Sequence, residues 1–299
     1  MKLPLLFLAG APKCGTSALY HQLVRHKGVV GSEPKETFFT LPANHPLAQP
    51  EKNIEHNGWE GLRNAFPAKL DSVTWLLEAT THTLYHPECF ETFGIPEGAH
   101  FIVVLRDPVD RLRSSFEYTL NNLARFRKTL KFDAYVNLLL NGQEEQLNEY
   151  LFESPSLYVL KRDLRYGQYS DYLEIWQQML PEDRLRVVLY EDFRHDPVTT
   201  TNALFTWLQL EPLNIQSKVL NKTQSIRSKQ FHRWILKINR LVPQGQWKQS
   251  IKQLYYRLQS SNSARIQVSD DVRIRLSAHY APYQEKLEVL LGRKIEYWS

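Results

Sequence analysis

Leu5-Leu6-Phe7-Leu8-Ala9-Gly10-Ala11-Pro12-Lys13-Cys14-Gly15-Thr16-Ser17-Ala18-Leu19 decides the reading of this chain. An unbroken apolar run stops at small residues. A lysine, a glycine and two hydroxyls follow, and Leu19, Tyr20, Leu23 and Val24 then recur at helical spacing. That order is a buried strand turning directly into a helix. Such a turn aims backbone N–H groups and the positive end of a helix dipole at one point, which makes an anion site. Lys13 adds a full charge, and Thr16 and Ser17 add hydroxyl donors. Gly10 and Gly15 have the separation found in nucleoside-triphosphate loops, where the lysine directly follows the second glycine. Here Thr16 takes that place and the lysine stands at 13.

Outward from this stretch, strands and helices alternate. Val73–Glu78 reads as a second strand ending at Ala79-Thr80-Thr81-His82, with Gly28–Gly31 as a turn and 40–70 as loops with a short helix. Phe101–Leu105 is a third strand, apolar without alternation, as in a sheet covered on both faces. Leu185–Tyr190 is a fourth. Helices are expected over 16–26, from Pro108 to about Leu123, around Tyr172–Met179, from Pro197 through Leu208, and from Asp270 to Leu291. The pattern predicts an α/β fold in a single domain over 1–299: a central parallel sheet flanked by helices, with a phosphate-loop-like turn.

A second stretch carries chemistry: Arg106-Asp107-Pro108-Val109-Asp110-Arg111-Leu112-Arg113-Ser114. Asp107 suits a helix N-cap and Pro108 a first helical residue. An arginine at the carboxyl end of a strand and a serine eight residues on can hold one phosphate, the first by charge and a planar fork, the second by a hydroxyl. Strand carboxyl ends are where open α/β sheets place their sites.

The order Pro-Lys-x-Gly-Thr-Ser-x-Leu resembles the 5′-phosphosulfate loop of sulfotransferases that use 3′-phosphoadenosine 5′-phosphosulfate (PAPS). The form Lys-Cys-Gly-Thr is most similar to the heparan-sulfate-type branch. Arg-Asp-Pro-x-x-Arg-x-x-Ser resembles the 3′-phosphate motif of the same family. Gly167-Gln168-Tyr169-Ser170 with Leu173 and Trp176, Tyr190-Glu191-Asp192-Phe193 with Asp196-Pro197, and Tyr280-x-Pro282-Tyr283 with Trp298 extend the resemblance over almost the whole chain. It implies sulfuryl transfer from PAPS to an acceptor hydroxyl or amine, by in-line displacement and with no metal. Lys13, Cys14, Gly15, Thr16, Ser17 and Ala18 would hold the 5′-phosphosulfate. Arg106, Ser114 and the basic loop Arg227-Ser228-Lys229 would hold the 3′-phosphate, and Lys13 would also stabilise the leaving group.

For the general base, Glu36 in Lys35-Glu36-Thr37-Phe38-Phe39 is favoured, because the branch carries a catalytic glutamate in a similar Lys-Glu context after the first helix. His82 is the rival, because small-molecule members of the family use a histidine. The branch carries Glu-Lys-[Ser/Thr]-Pro after the second strand, whereas this chain has Glu78-Ala79-Thr80-Thr81, a departure that weighs against an anionic glycan acceptor.

Composition bounds the rest. The 299 residues carry a net charge of +5, with two cysteines that make no disulfide framework and point to a cytoplasmic setting. Met1-Lys2 and the apolar run imitate a short leader, but cleavage there would part the strand from its loop. No stretch approaches the ~20 apolar residues that span a bilayer. From 212 to 269 there are eleven basic residues and no acidic ones, so the remainder is net acidic. This segment, with apolar stripes at Phe231–Val242 and Trp247–Leu258, reads as a lid over the nucleotide or as a surface touching anionic membrane. The expected partners are a small-molecule, glycan or lipid acceptor and no nucleic acid. A nucleoside-triphosphate-dependent kinase and a non-enzymatic polyanion binder remain as alternatives.

Overall fold

The computed structural model describes residues 4–70, 72–214, 225–226, 260–261 and 266–298. They fall into two compact units: residues 1–111, 165–220 and 276–299 form the first, and 112–164 with 221–275 the second.

The first unit holds a five-stranded parallel sheet. Its strands are β1 (Leu5–Gly10), β2 (Val29–Gly31), β3 (Trp75–Glu78), β4 (His100–Leu105) and β5 (Leu185–Leu189), in the order β2-β3-β1-β4-β5. Every residue of β1 is buried, as its unbroken apolar run requires for a central strand. Helix α1 (Thr16–Leu23) carries the chain from β1 past β3 to the edge strand β2. The connections from β2 to β3, containing α2 (Ile54–Gly61), and from β3 to β4, containing α3 (Glu88–Phe93), run the other way. Right-handed crossovers therefore put α1 on one face and α2 and α3 on the opposite face. Phe7 of β1 confirms the second face: its ring meets Trp59 of α2 at 6.0 Å, Phe90 of α3 at 5.3 Å and Phe101 of β4 at 4.9 Å. Because β1 sends its connection to one face and both neighbours send theirs to the other, the loop after β1 lies at a topological switch point, where open α/β sheets bind ligands.

Helix α4 (Pro108–Glu117) follows β4 and passes into the second unit, where a single π-helical turn, Tyr118–Asn122, replaces the regular helix expected to Leu123. There α5 (Phe132–Leu140) and α6 (Pro155–Arg162) surround a core of Phe116, Phe126, Phe132 and Tyr135. Back in the first unit come α7 (Tyr169–Met179), α8 (Tyr190–His195) and α9 (Pro197–Trp207). Last is α10 (Asp270–Leu291), whose first residues belong to the second unit.

Two expectations need correction. Gly28–Gly31 is not only a turn: Val29–Gly31 pairs with Trp75–Leu77 as a fifth strand, too short to show in the sequence. Val73 and Thr74 lie outside β3, because Thr74 and Trp75 both donate to the Gly28 carbonyl as the chain enters the sheet. The apolar stripes at 231–242 and 247–258 lie outside the described residues.

Candidate active site

The turn after β1 is anchored by Ala11 N–H donating to the Val104 carbonyl of β4 at 2.7 Å. Gly15 is the N-cap of α1 at φ +85° and makes no side-chain cap hydrogen bond. A Cβ on Gly15 would lie 2.7 Å from Tyr190 Cδ2, so both the backbone angle and the close approach demand glycine here. With no acidic residue in its first turn, α1 presents an uncompensated positive end. Thr16 is buried at that turn, Ser17 is exposed, and Lys13 and Ala18 are partly buried. Cys14 is wholly buried beneath the loop, its sulfur 3.8 Å from the Tyr169 hydroxyl. Burial pushes its thiol up to about 11, against the pull of Arg111 and Arg106, so Cys14 is a packed thiol and not a nucleophile.

Arg106 ends β4 beside this turn. Its Nη1 donates to the Lys13 carbonyl at 3.3 Å and its Nη2 to Asp110 Oδ2 at 3.2 Å, and its guanidinium stacks on Tyr190 at 4.8 Å. The Arg106 carbonyl accepts from the Tyr169 hydroxyl at 3.0 Å. Its Nε is buried with no hydrogen-bond partner among the described residues. A buried guanidinium N–H without an acceptor is costly, and a phosphate oxygen is the kind of group that satisfies it. Asp107 caps α4 as expected, accepting from Asp110 N–H at 2.8 Å. Ser114 is partly buried on α4, in the portion that belongs to the second unit. Arg227, Ser228 and Lys229 lie outside the described residues.

The loop carrying Glu36 is docked residue by residue onto the end of β3. Ala79 N–H donates to the Lys35 carbonyl at 3.2 Å, and Lys35 Nζ donates to the Ala79 carbonyl at 3.1 Å. Thr37 donates to Glu78 Oε1 through its N–H at 3.1 Å and its hydroxyl at 2.8 Å, and Phe38 N–H donates to Thr80 Oγ1 at 2.9 Å. Thr80 closes the network on Glu78 through both its N–H and its hydroxyl. Burial pushes the Glu78 carboxyl up, while these hydrogen bonds hold it down. Glu36 is thus raised on a rigid pedestal, its carboxylate partly exposed and 3.1 Å from Lys35 Nζ. No lysine side chain stands at position 79, but the ammonium of Lys35 reaches the backbone there.

His82 lies on the 3-10 turn Thr81–Tyr85, ringed by His45, Tyr85 and Tyr166 at centroid distances of 5.7, 6.0 and 5.7 Å. It is buried, and its Nδ1 has no hydrogen-bond partner among the described residues. Burial foremost, with the charges of His45, His86 and Arg111, pulls its imidazole down to about 3.

The profile of the family described as Sulfotransferase domain matches residues 3–257. The chain belongs to this family. Among curated members, it is 24% identical over 213 residues to the bifunctional heparan sulfate N-deacetylase/N-sulfotransferase 3 of Homo sapiens, covering 71% of this chain and 23% of that one. It is 23% identical over 260 residues to carbohydrate sulfotransferase 15 of Mus musculus, covering 73% of this chain and 46% of that one. The chain therefore spans less than half the length of these relatives. Among solved structures, the sulfotransferase from Alicyclobacillus acidocaldarius superposes with a TM-score of 0.64 at 21% identity, over 100% of this chain and 99% of that one. The sulfotransferase fold, with its resemblance to the heparan-type branch, is that of this chain.

The structure also accounts for residues that the two phosphate motifs left aside. Gly167 is required because a Cβ there would meet the Tyr280 ring at 2.7 Å. Tyr169 ties Cys14 to Arg106. Glu191 accepts from Asp107 N–H at 3.2 Å and from Trp298 Nε1 at 3.1 Å, so the C-terminal tryptophan braces the start of α4. Pairwise spacing in the sequence carries no signal for such contacts. Only the aromatic and acidic signposts hinted at them.

Proposed function

We propose that the chain transfers a sulfuryl group from PAPS to a hydroxyl or amine of an acceptor, with Glu36 as general base. One observation supports this above others. Among the described residues, the N-terminus of α1 has no side-chain cap and the buried Nε of Arg106 no partner, and the two lie on adjacent strand ends at the switch point, a donor set suited to a nucleotide with two separate phosphate groups. The donor set fits PAPS, which supplies the sulfuryl group and a phosphate that leaves with the bonding electron pair.

The chain's own residues do the rest. The first-turn N–H groups of α1, the Thr16 and Ser17 hydroxyls and the Lys13 ammonium hold the 5′-phosphosulfate. They also stabilise charge that grows on the leaving oxygen, where each well-placed donor is worth about 10²–10³ in rate. Arg106 takes the 3′-phosphate. Ser114 and the loop 227–229 join it on the strength of their sequence motif alone. Glu36 accepts the acceptor's proton as its oxygen or nitrogen bonds to sulfur. It is favoured over His82 because it is accessible and fixed on its pedestal, whereas the His82 imidazole is buried and resists protonation. The names of the matched relatives, heparan sulfate and carbohydrate sulfotransferases, favour a glycan hydroxyl or amine as acceptor.

Incubation with radiolabelled PAPS and a panel of glycan, lipid and small-molecule acceptors tests this reading. Transfer of label that is lost in Glu36→Gln while nucleotide binding persists is the expected result. Transfer that survives Glu36→Gln and fails in His82→Gln would move the base to His82.

A further inference from the structure

We infer that Lys35 is a positioning residue for the reaction: its ammonium, anchored on the end of β3, holds the Glu36 carboxylate where it takes the acceptor's proton. This rests on the reading of Glu36 as the base.

Lys35 brackets Ala79 from both sides. Its carbonyl accepts from Ala79 N–H at 3.2 Å, and its Nζ donates to the Ala79 carbonyl at 3.1 Å. The same Nζ donates to Glu36 Oε1 at 3.1 Å and lies 5.7 Å from the centre of the Tyr20 ring. An ordinary exposed ion pair joins two flexible side chains and fixes neither. Here one partner is pinned to a strand end by a backbone carbonyl, and the pair is only 20% and 31% exposed. The residues after Glu36 are fixed independently, Thr37 by Glu78 and Phe38 by Thr80. The backbone on both sides of Glu36 is thus set by β3, and Lys35 sets the remaining freedom, that of the carboxylate.

The arrangement suits the electron flow. The acceptor's O–H or N–H bond breaks, and its electron pair forms the new bond to sulfur. The old sulfur–oxygen bond breaks, with its pair staying on the 5′-phosphate. The proton goes to Glu36, and Lys35 neither gains nor loses one. Before transfer the ammonium is matched by the carboxylate. Afterwards the proton cancels the charge of the carboxylate. An ammonium has three N–H donors. Ala79 and Glu36 take two, so the ammonium is held from both sides. The pairing serves position, since misplacing a reacting group by about 1 Å can cost on the order of 10² in rate.

The test compares Lys35→Met, Lys35→Arg and Glu36→Gln, using water as acceptor so that the identity of the natural acceptor does not matter. Single-turnover release of inorganic sulfate from bound PAPS is followed alongside affinity for 3′-phosphoadenosine 5′-phosphate (PAP), and nucleotide-free crystal structures are determined. Lys35→Met should slow release roughly tenfold or more with PAP affinity unchanged, and Lys35→Arg should keep most of the rate. Glu36 should occupy one conformer in the wild type and several in Lys35→Met. Wild-type release by Lys35→Met, or an unmoved Glu36 in its crystals, would overturn the role of Lys35 while a slow Glu36→Gln leaves the base in place. Wild-type release by Glu36→Gln would instead remove the base itself. The crystallographic comparison decides for Lys35 even where hydrolysis is too slow to follow.

Discussion

Acid should destabilise this protein through His82. The folded imidazole is pulled from its ordinary 6.5 down to about 3, chiefly by burial. A histidine whose folded value is depressed contributes stability that is fully present above the unfolded value. That stability is lost as pH falls below it, until the folded value is reached. Between about 6.5 and 3 the loss runs near 1.4 kcal/mol per pH unit. Integrated from pH 7 to pH 5 it comes to about 2 kcal/mol, a large share of the 5–15 kcal/mol typical of a folded domain. The perturbation is His82→Phe, which keeps the ring among Tyr85 and Tyr166 and removes the proton site; the Nδ1 that it deletes has no hydrogen-bond partner among the described residues. Urea unfolding followed by tryptophan fluorescence at pH 7, 6 and 5 gives the stability of both proteins. The wild type should lose about 2 kcal/mol more than the variant across that range. Equal losses would refute the reasoning, since they would mean that His82 takes up its proton as readily folded as unfolded.

Other substitutions read different parts of the site. Gly15→Ala forces a Cβ against Tyr190 at an unfavourable φ, and should weaken PAP binding roughly tenfold or more in calorimetric titration. Glu78→Gln puts an amide where Thr37 and Thr80 donate. It should cost about 1–3 kcal/mol in urea unfolding and slow sulfate release by loosening the Glu36 loop. Tyr169→Phe leaves the Arg106 carbonyl without its buried donor and should cost about 1 kcal/mol, with a smaller loss of PAP affinity.

The parts of the site that sit on one contiguous stretch were open to sequence reasoning. Leu5–Leu19 announces strand, turn and helix because burial on both faces, small turn residues and helical spacing each leave a mark within a few residues. Arg106–Pro108 announces a strand end and a capped helix for the same reason, and α10 falls on Asp270–Leu291 as expected. What stayed hidden depends on residues far apart in sequence. Nothing in Glu78-Ala79-Thr80 says that a loop forty residues earlier will dock on it, nor that Lys35 will bring its charge to Ala79. The strand Val29–Gly31 has three residues and no alternation to betray it. In the sequence His82 rivals Glu36 only through the resemblance to small-molecule members of the family. Its burial among rings from three parts of the chain could be read only from the fold.

The most direct measurement is calorimetric titration of the protein with PAP, set against ATP with magnesium and plain AMP. The account predicts tight binding of the bisphosphate alone, weakened about 10- to 100-fold in Arg106→Ala, since a hydrogen bond to a charged group contributes about 1.5–3 kcal/mol. Preferential binding of magnesium–ATP, binding of none of the three, or PAP binding indifferent to Arg106 would contradict it.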